Sequence, residues 1–205
     1  MIKVRFNGVA HYLPTKVEDV TLEQYQGLMQ CVLEERTGYI DVLACLLGLT
    51  VTQVANSEGN AQDFAYGMDA LFSDLSTLHS NDAPESFTLT ERTLSKPKDW
   101  GLHTLGQRIA FQNIAQEGLA HNNLHKFLAV LFAPAIYGKD WMDNTELLGE
   151  EFKQCRAIDA VPTAFFFIRK QMNMKKDGTI KYSSLLMTLI RKRGAKSLRS
   201  TDFLM

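Results

Sequence analysis

Apolar residues recur at every third or fourth position over several stretches of this 205-residue chain, which is typical of helices with one buried face. The spacing predicts a series of helices with polar connections between them. Their approximate ranges are 22–36, 39–47, 51–57, 61–78, 124–132, 146–155, 161–172 and 184–193, with one more beginning at Leu105 that has Leu105, Ile109 and Ile114 as its apolar positions.

Start and stop signals agree with these ranges. Thr21, Thr50 and Thr104 are each followed three residues later by Gln, the capping-box pattern in which both side chains bond backbone N–H groups. Gly48 is expected to end the second helix. We also expect Asn122 or Asn123 to cap the helix that begins at residue 124, and Pro134 to end it, because proline cannot donate a backbone hydrogen bond.

Two short β elements accompany the helices. Residues 2–6 and 9–13 flank Asn7-Gly8, a strong hairpin signal, and residues 87–89 alternate like one short central strand. The predicted fold class is therefore mainly α, a multi-helix domain with a small N-terminal β-hairpin and a short central strand. The domain is expected over residues 1–174, with a loop region at 79–100 between two helical halves and a basic C-terminal arm at 175–205.

Composition narrows the class of protein. Hydrophobic residues make up 45% of the chain, enough for a sizeable core. The apolar runs are far shorter than the roughly 20 residues that span a bilayer, and no signal-peptide pattern opens the chain, so we expect a cytoplasmic protein without a membrane partner.

Cys31, Cys45 and Cys155 lie far apart in sequence among apolar residues, and we interpret each as a buried thiol.

Charge is segregated along the chain. Residues 37–91 contain eight acids and no Lys or Arg, whereas residues 153–205 contain twelve bases and three acids. Such asymmetry acts on association more than on the choice of fold. The basic arm is the candidate partner-binding segment, through these side chains: Lys175, Lys176, Lys181, Arg191, Lys192, Arg193, Lys196 and Arg199. Its partner is an acidic protein surface, a second copy of the chain or, as an alternative, nucleic acid.

Two patterns in the sequence resemble a DNA-binding motif and a metal site. In both cases a purely structural role explains the residues better. Ala44, Gly48 and Val54 fit a helix-turn-helix, but the second helix carries no base to neutralise DNA phosphates. His121 and His125 have a spacing that metal sites use, yet the neighbouring asparagines indicate a helix start rather than a ligand pair. We find no catalytic, cofactor-binding or metal-binding constellation, and we predict a protein that is not an enzyme and needs no cofactor.

Several segments together resemble a known family. They are residues 20–25, 40–50, 105–107, 124–132, 137–140 and 165–167. Their arrangement is similar to the tail assembly chaperone-like proteins encoded among the virion genes of tailed bacteriophages, over roughly residues 17–172. The resemblance implies a helical protein without catalytic residues that holds the long tape measure protein until the tail tube forms around it.

The expected function follows from this resemblance together with the charge pattern. We expect a non-enzymatic phage morphogenesis protein that acts through protein–protein contacts in the host cytoplasm, with the tape measure protein or other tail or head components as partners. The alternatives are a minor structural virion protein near the portal, tail or packaged genome, and a nucleic-acid-associated protein that uses the basic arm.

Overall fold

The computed structural model describes residues 2–6, 9–36, 38–56, 71–118 and 120–172 of the chain. This part of the protein is mainly α, as predicted. The described ranges contain eight α-helices: α1 (Leu22–Leu33), α2 (Tyr39–Leu47), α3 (Val51–Ala55), α4 (residues 71–77), α5 (Leu105–Gln116), α6 (Leu124–Tyr137), α7 (Thr145–Lys153) and α8 (Ala157–Gln171). Short 3₁₀ turns lie at Val17–Asp19 before α1, at Leu78–Ser80 after α4, at Ala120–Asn123 between α5 and α6, and at Gly138–Asp140 between α6 and α7.

The β component consists of two hairpins. Strands β1 (Ile2–Phe6) and β2 (Val9–Leu13) pair antiparallel with Phe6 opposite Val9, which confirms the N-terminal hairpin. Strand β3 (Ser86–Leu89) pairs with β4 (Arg92–Ser95), so the central element is a hairpin rather than the single strand predicted. Its turn escaped the sequence analysis because Thr90, and not Gly or Asn, adopts the left-handed conformation there, with φ at 51°.

All three capping boxes are present. In each, the Thr hydroxyl accepts from the N–H of the Gln three residues on, and the Gln side chain accepts from the Thr N–H. Gly48 ends α2 in the left-handed conformation, with φ at 64°. The helix starts that the sequence marked by Thr-x-x-Gln are therefore confirmed.

Helices α1 and α8 begin side by side and complete each other's hydrogen bonding. The N–H of Leu22 donates to the carbonyl of Cys155 at 2.8 Å, and the N–H of Ala157 donates to the carbonyl of Val20 at 2.7 Å. These N–H groups lie in the first helical turns and have no partner within their own helices. The pairing lets α8 start at Ala157, four residues before the predicted start at residue 161.

The predicted end of α6 at Pro134 is wrong, because the helix continues through this residue to Tyr137. A proline inside a helix normally leaves the carbonyl four residues earlier without its partner. Here that carbonyl belongs to Val130, and it accepts a hydrogen bond from Nε2 of Gln107 at 3.2 Å. Gln107 is the capping-box residue of α5, so one side chain caps α5 and also replaces the bond that Pro134 removes from α6.

The asparagine cap predicted for α6 is also absent. Asn123 occupies the N-cap position without a side-chain hydrogen bond to the helix. Asn122 instead donates to Oε1 of Gln30 in α1 at 2.6 Å. This part of the chain therefore connects two helices rather than capping one.

Helix α6 lies at the centre of the molecule and packs against α5, α7 and α8. Leu124, Phe127 and Leu128 are at most 1% exposed. The Phe111 ring of α5 lies 5.0 Å from that of Phe127 and 5.6 Å from that of Phe167 in α8, between ring centroids. One continuous cluster of buried apolar side chains extends from Leu13 to Ile168 among the described residues.

The double role of Gln107 predicts a sharp response to a conservative change. A Gln107→Glu variant keeps an acceptor for the α5 cap but loses the donor to Val130 and places a carboxylate at a position 3% exposed. We expect it to lower the free energy of unfolding by about 2 kcal/mol, as measured by urea denaturation. The matched control is Gln53→Glu in the exposed capping box of α3, where an acid suits the helix N-terminus and no loss is expected. Equal effects in the two variants would contradict the second role of Gln107.

Candidate protein-binding surface

Helix α5 is apolar on two opposite sides. Its inner side buries Phe111 and Ile114 in the core. Leu105 and Ile109, predicted together with Ile114 as the apolar positions of this helix, are 73% and 48% exposed. Residues four apart lie side by side on a helix. Leu105 and Ile109 therefore form an apolar ridge that faces solvent.

Met142 lies next to α5, against Gly106, which has no side chain. A Cβ atom at Gly106 would lie 3.3 Å from both Sδ of Met142 and Cζ2 of Trp141, so the chain after α6 packs directly on the first turn of α5. Trp141 is buried in this contact, whereas Met142 remains 63% exposed. We call Leu105, Ile109 and Met142 the α5 patch. Methionine adapts its shape to different apolar partners, which suits a binding surface.

Acidic side chains adjoin the patch. Asp140, Asp143 and Glu146 are exposed on both sides of Met142 in the chain. Glu146 lies in the first turn of α7, where a negative charge interacts favourably with the helix dipole. Two exposed bases, Arg108 and Lys139, also neighbour these residues in the chain, so charged groups of both signs border the patch.

A polar cleft of about 590 Å³ lies along the neighbouring side of α5. Two of its polar side chains are bound to the loop that precedes α5. Nε2 of His103 lies 3.6 Å from Oδ2 of Asp99, and Nε of Arg108 donates to the carbonyl of Leu102 at 3.3 Å. None of the described residues that line the cleft is a serine, threonine or cysteine. The described lining therefore offers hydrogen-bonding and charged groups, among them Asp99, His103 and Arg108.

The histidine pair holds two helices together. His121 lies in the 3₁₀ turn before α6 and His125 lies in the first turn of α6, and the side chains are 3% and 8% exposed. The Gln26 amide of α1 lies 3.1 Å from Nδ1 of His125 and donates to the carbonyl of His121 at 2.9 Å. Burial lowers the pKa of each histidine to about 4, so both rings are neutral at pH 7.

Two of the three cysteines are buried as the sequence predicted, and Cys45 is the exception. Cys31 and Cys155 are buried as expected, and burial raises the pKa of Cys155 to about 12, which keeps this thiol protonated and unreactive near neutral pH. Cys45 is only partly buried, and its Sγ lies 2.7 Å from Sγ of Cys31. Their separation of fourteen positions in sequence concealed this contact, because it arises where α1 and α2 pack together.

Two further sequence hypotheses concern nucleic acid. The helix-turn-helix corner exists, formed by α2, Gly48 and α3, but α3 has only five residues and none is a base. The basic candidates Lys175, Lys176, Lys181, Arg191, Lys192, Arg193, Lys196 and Arg199 lie outside the described residues. Their role in binding therefore stays a prediction.

Comparison with protein-family models, with curated proteins and with solved structures found no match to this chain. Among the described residues, no group of three or more His, Cys, Asp or Glu side chains is placed to hold a metal ion. In the same part of the chain, no helix combines the length and the apolar character needed to cross a bilayer. The feature of the described surface that most favours a function is therefore the α5 patch on a mainly α protein.

Proposed function

We propose that this protein is a non-enzymatic bacteriophage morphogenesis protein, and specifically a tail assembly chaperone that holds apolar helical segments of the tape measure protein. The observation that carries the proposal is the α5 patch. Large apolar side chains exposed together on a well-packed helix mark binding surfaces. The family resemblance supplies the class of partner, an elongated helical protein that must be kept from aggregating before assembly.

The mechanism follows the helix-in-groove mode of recognition. An amphipathic helix of the partner would lay its apolar face on Leu105, Ile109 and Met142, which removes apolar surface of both proteins from water. The acids at positions 140, 143 and 146 would attract basic residues at the edge of that helix, and Arg108 and Lys139 would attract acidic ones. Assembly of the tail would later bury the same apolar face of the partner and release the chaperone.

Coexpression with the tape measure protein of the same genome tests this proposal. We expect the full chain to keep the tape measure protein in the soluble fraction, and a Leu105→Glu/Ile109→Glu double variant to lose most of that effect while its melting temperature stays within about 2 °C of wild type. Val51→Glu is the matched control, since Val51 is 41% exposed on α3, a helix that carries none of the patch residues. A tape measure protein that stays insoluble with the wild-type chain, or that both variants solubilise equally, would contradict the proposal.

Mass spectrometry of purified virions distinguishes a chaperone from the main alternative, a minor structural protein of the virion. A chaperone leaves the particle as the tail forms, so we expect little of the chain in mature virions. Many copies in each particle would instead favour a minor structural protein near the portal, tail or packaged genome.

A further inference from the structure

We propose that Cys31 and Cys45 form a reversible disulfide, an oxidation site that ties α1 to α2. The two Sγ atoms lie 2.7 Å apart while both residues are free cysteines. Non-bonded heavy atoms normally pack about 3.5–4 Å apart, whereas a disulfide bond is about 2.05 Å long. The side chains are thus already directed at each other, and a movement of less than about 1 Å would bring the sulfurs to bonding distance.

The packing of the two helices creates this juxtaposition. Gly27 precedes Cys31 by one turn of α1 and faces the same residue of α2. A Cβ at Gly27 would lie 3.7 Å from Cβ of Cys45, and the Cys45 thiol lies 3.6 Å from the Gly27 carbonyl, which it approaches as a donor. Because glycine presents only backbone at this point, α2 approaches α1 closely enough for Cys45 to reach Cys31.

The difference in solvent exposure between Cys31 and Cys45 determines which of the two thiols is oxidised first. Cys31 is 1% exposed, whereas Cys45 is partly open to solvent. A small two-electron oxidant of the peroxide class would therefore meet Cys45 first. The Cys45 thiolate attacks one peroxide oxygen and becomes a sulfenic acid, with release of water once the leaving hydroxide is protonated. The Cys31 thiol then attacks the Cys45 sulfur and the sulfenic oxygen leaves as a second water. In total two thiols lose two protons and two electrons, and hydrogen peroxide is reduced to two waters.

The environment of Cys45 affects how fast the disulfide forms, but not which two cysteines it joins. Burial, followed by the hydrogen bond with Cys31, raises the pKa of Cys45 to about 12. Since the thiolate is the reactive form, oxidation is expected to be slow at pH 7 and to accelerate as the pH rises. Arg36 partly opposes this effect, because its positive charge favours the thiolate. A dithiol stays reduced in a reducing cytoplasm, so the disulfide would form only under oxidising conditions.

Peptide mapping of the full chain gives a direct test. Trypsin cleaves after Lys16, Arg36, Arg92, Lys153 and Arg156, so the three cysteines fall on separate peptides, 17–36, 37–92 and 154–156. After treatment with hydrogen peroxide at pH 8.5 and blocking of remaining thiols under denaturing conditions, we expect peptides 17–36 and 37–92 to be joined and to be two hydrogen atoms lighter than their sum. Peptide 154–156 should carry the blocking group, and dithiothreitol should separate the joined pair.

Variants and melting temperatures complete the experiment. Cys45→Ser and Cys45→Ala should abolish the joined peptide, whereas Cys155→Ser should leave it unchanged. The oxidised chain should melt about 5–10 °C above the reduced chain, since the bond restricts the unfolded state between residues 31 and 45. Three free thiols after oxidation, a bond that involves Cys155 or a second chain, or oxidation of Cys45 to a sulfinic acid without cross-linking would each overturn the proposal.

Discussion

Replacing Phe152 with alanine is expected to lower the free energy of unfolding by about 3–5 kcal/mol, the largest single side-chain effect that we predict. Phe152 of α7 is fully buried. Its ring centroid lies 5.7 Å from that of Phe132 in α6 and 6.2 Å from that of Phe87 in β3, and the latter two rings are 5.7 Å apart. Removing the ring leaves a cavity at the junction of two helices and the central hairpin.

Leu147→Ala on the same helix is the control for this prediction. Leu147 is 65% exposed, so the truncation should change the free energy of unfolding by less than about 0.5 kcal/mol. Urea denaturation followed by circular dichroism measures both variants. Similar losses in the two would mean that the three aromatic rings do not form the packed centre described above.

The helices were predictable because their signals are local. Thr21, Thr50 and Thr104 mark helix starts with residues only three positions apart, and Gly48 ends α2 through its own backbone conformation. The features that the sequence did not predict depend on contacts between residues that are far apart in the chain. The sequence shows that Pro134 removes a hydrogen bond, but not that Gln107, 27 positions earlier, supplies a replacement to Val130.

The same distinction applies to the candidate sites. Periodicity identified Leu105, Ile109 and Ile114 as the apolar positions of α5, but the sequence does not show which neighbour covers each of them. The structure buries Ile114 and leaves Leu105 and Ile109 exposed. Their exposure follows from the position of α6 on the opposite side of α5, where Phe111 meets Phe127. The contact of Cys31 with Cys45 likewise depends on how α1 and α2 cross at Gly27.

Acidification is expected to destabilise the protein between pH 6.5 and pH 4, and the buried histidines are the reason. His121 and His125 have a pKa of about 4 in the folded protein and an ordinary value near 6.5 when unfolded. In this window the unfolded chain binds more protons than the folded chain. Their contribution to stability is complete above pH 6.5 and is lost as the pH falls towards 4. With allowance for partial screening by solvent, each should contribute about 1–2 kcal/mol.

Variants assign this pH dependence to particular side chains. His125 is surrounded by Lys153, Glu150, Lys126 and Glu117, and burial is nonetheless the main cause of its low pKa. A His125→Gln variant keeps a polar side chain near Gln26 but cannot be protonated, so stability should fall less between pH 7 and pH 4.5 than in wild type. His103→Gln is the control, because this side chain is 61% exposed, and we expect it to change the slopes less than His125→Gln does. Denaturation by urea at intervals of half a pH unit measures the slopes. A profile for His125→Gln as steep as that of wild type would exclude this histidine as a source of acid sensitivity, and a flatter one would place that sensitivity at the contact between α1 and α6.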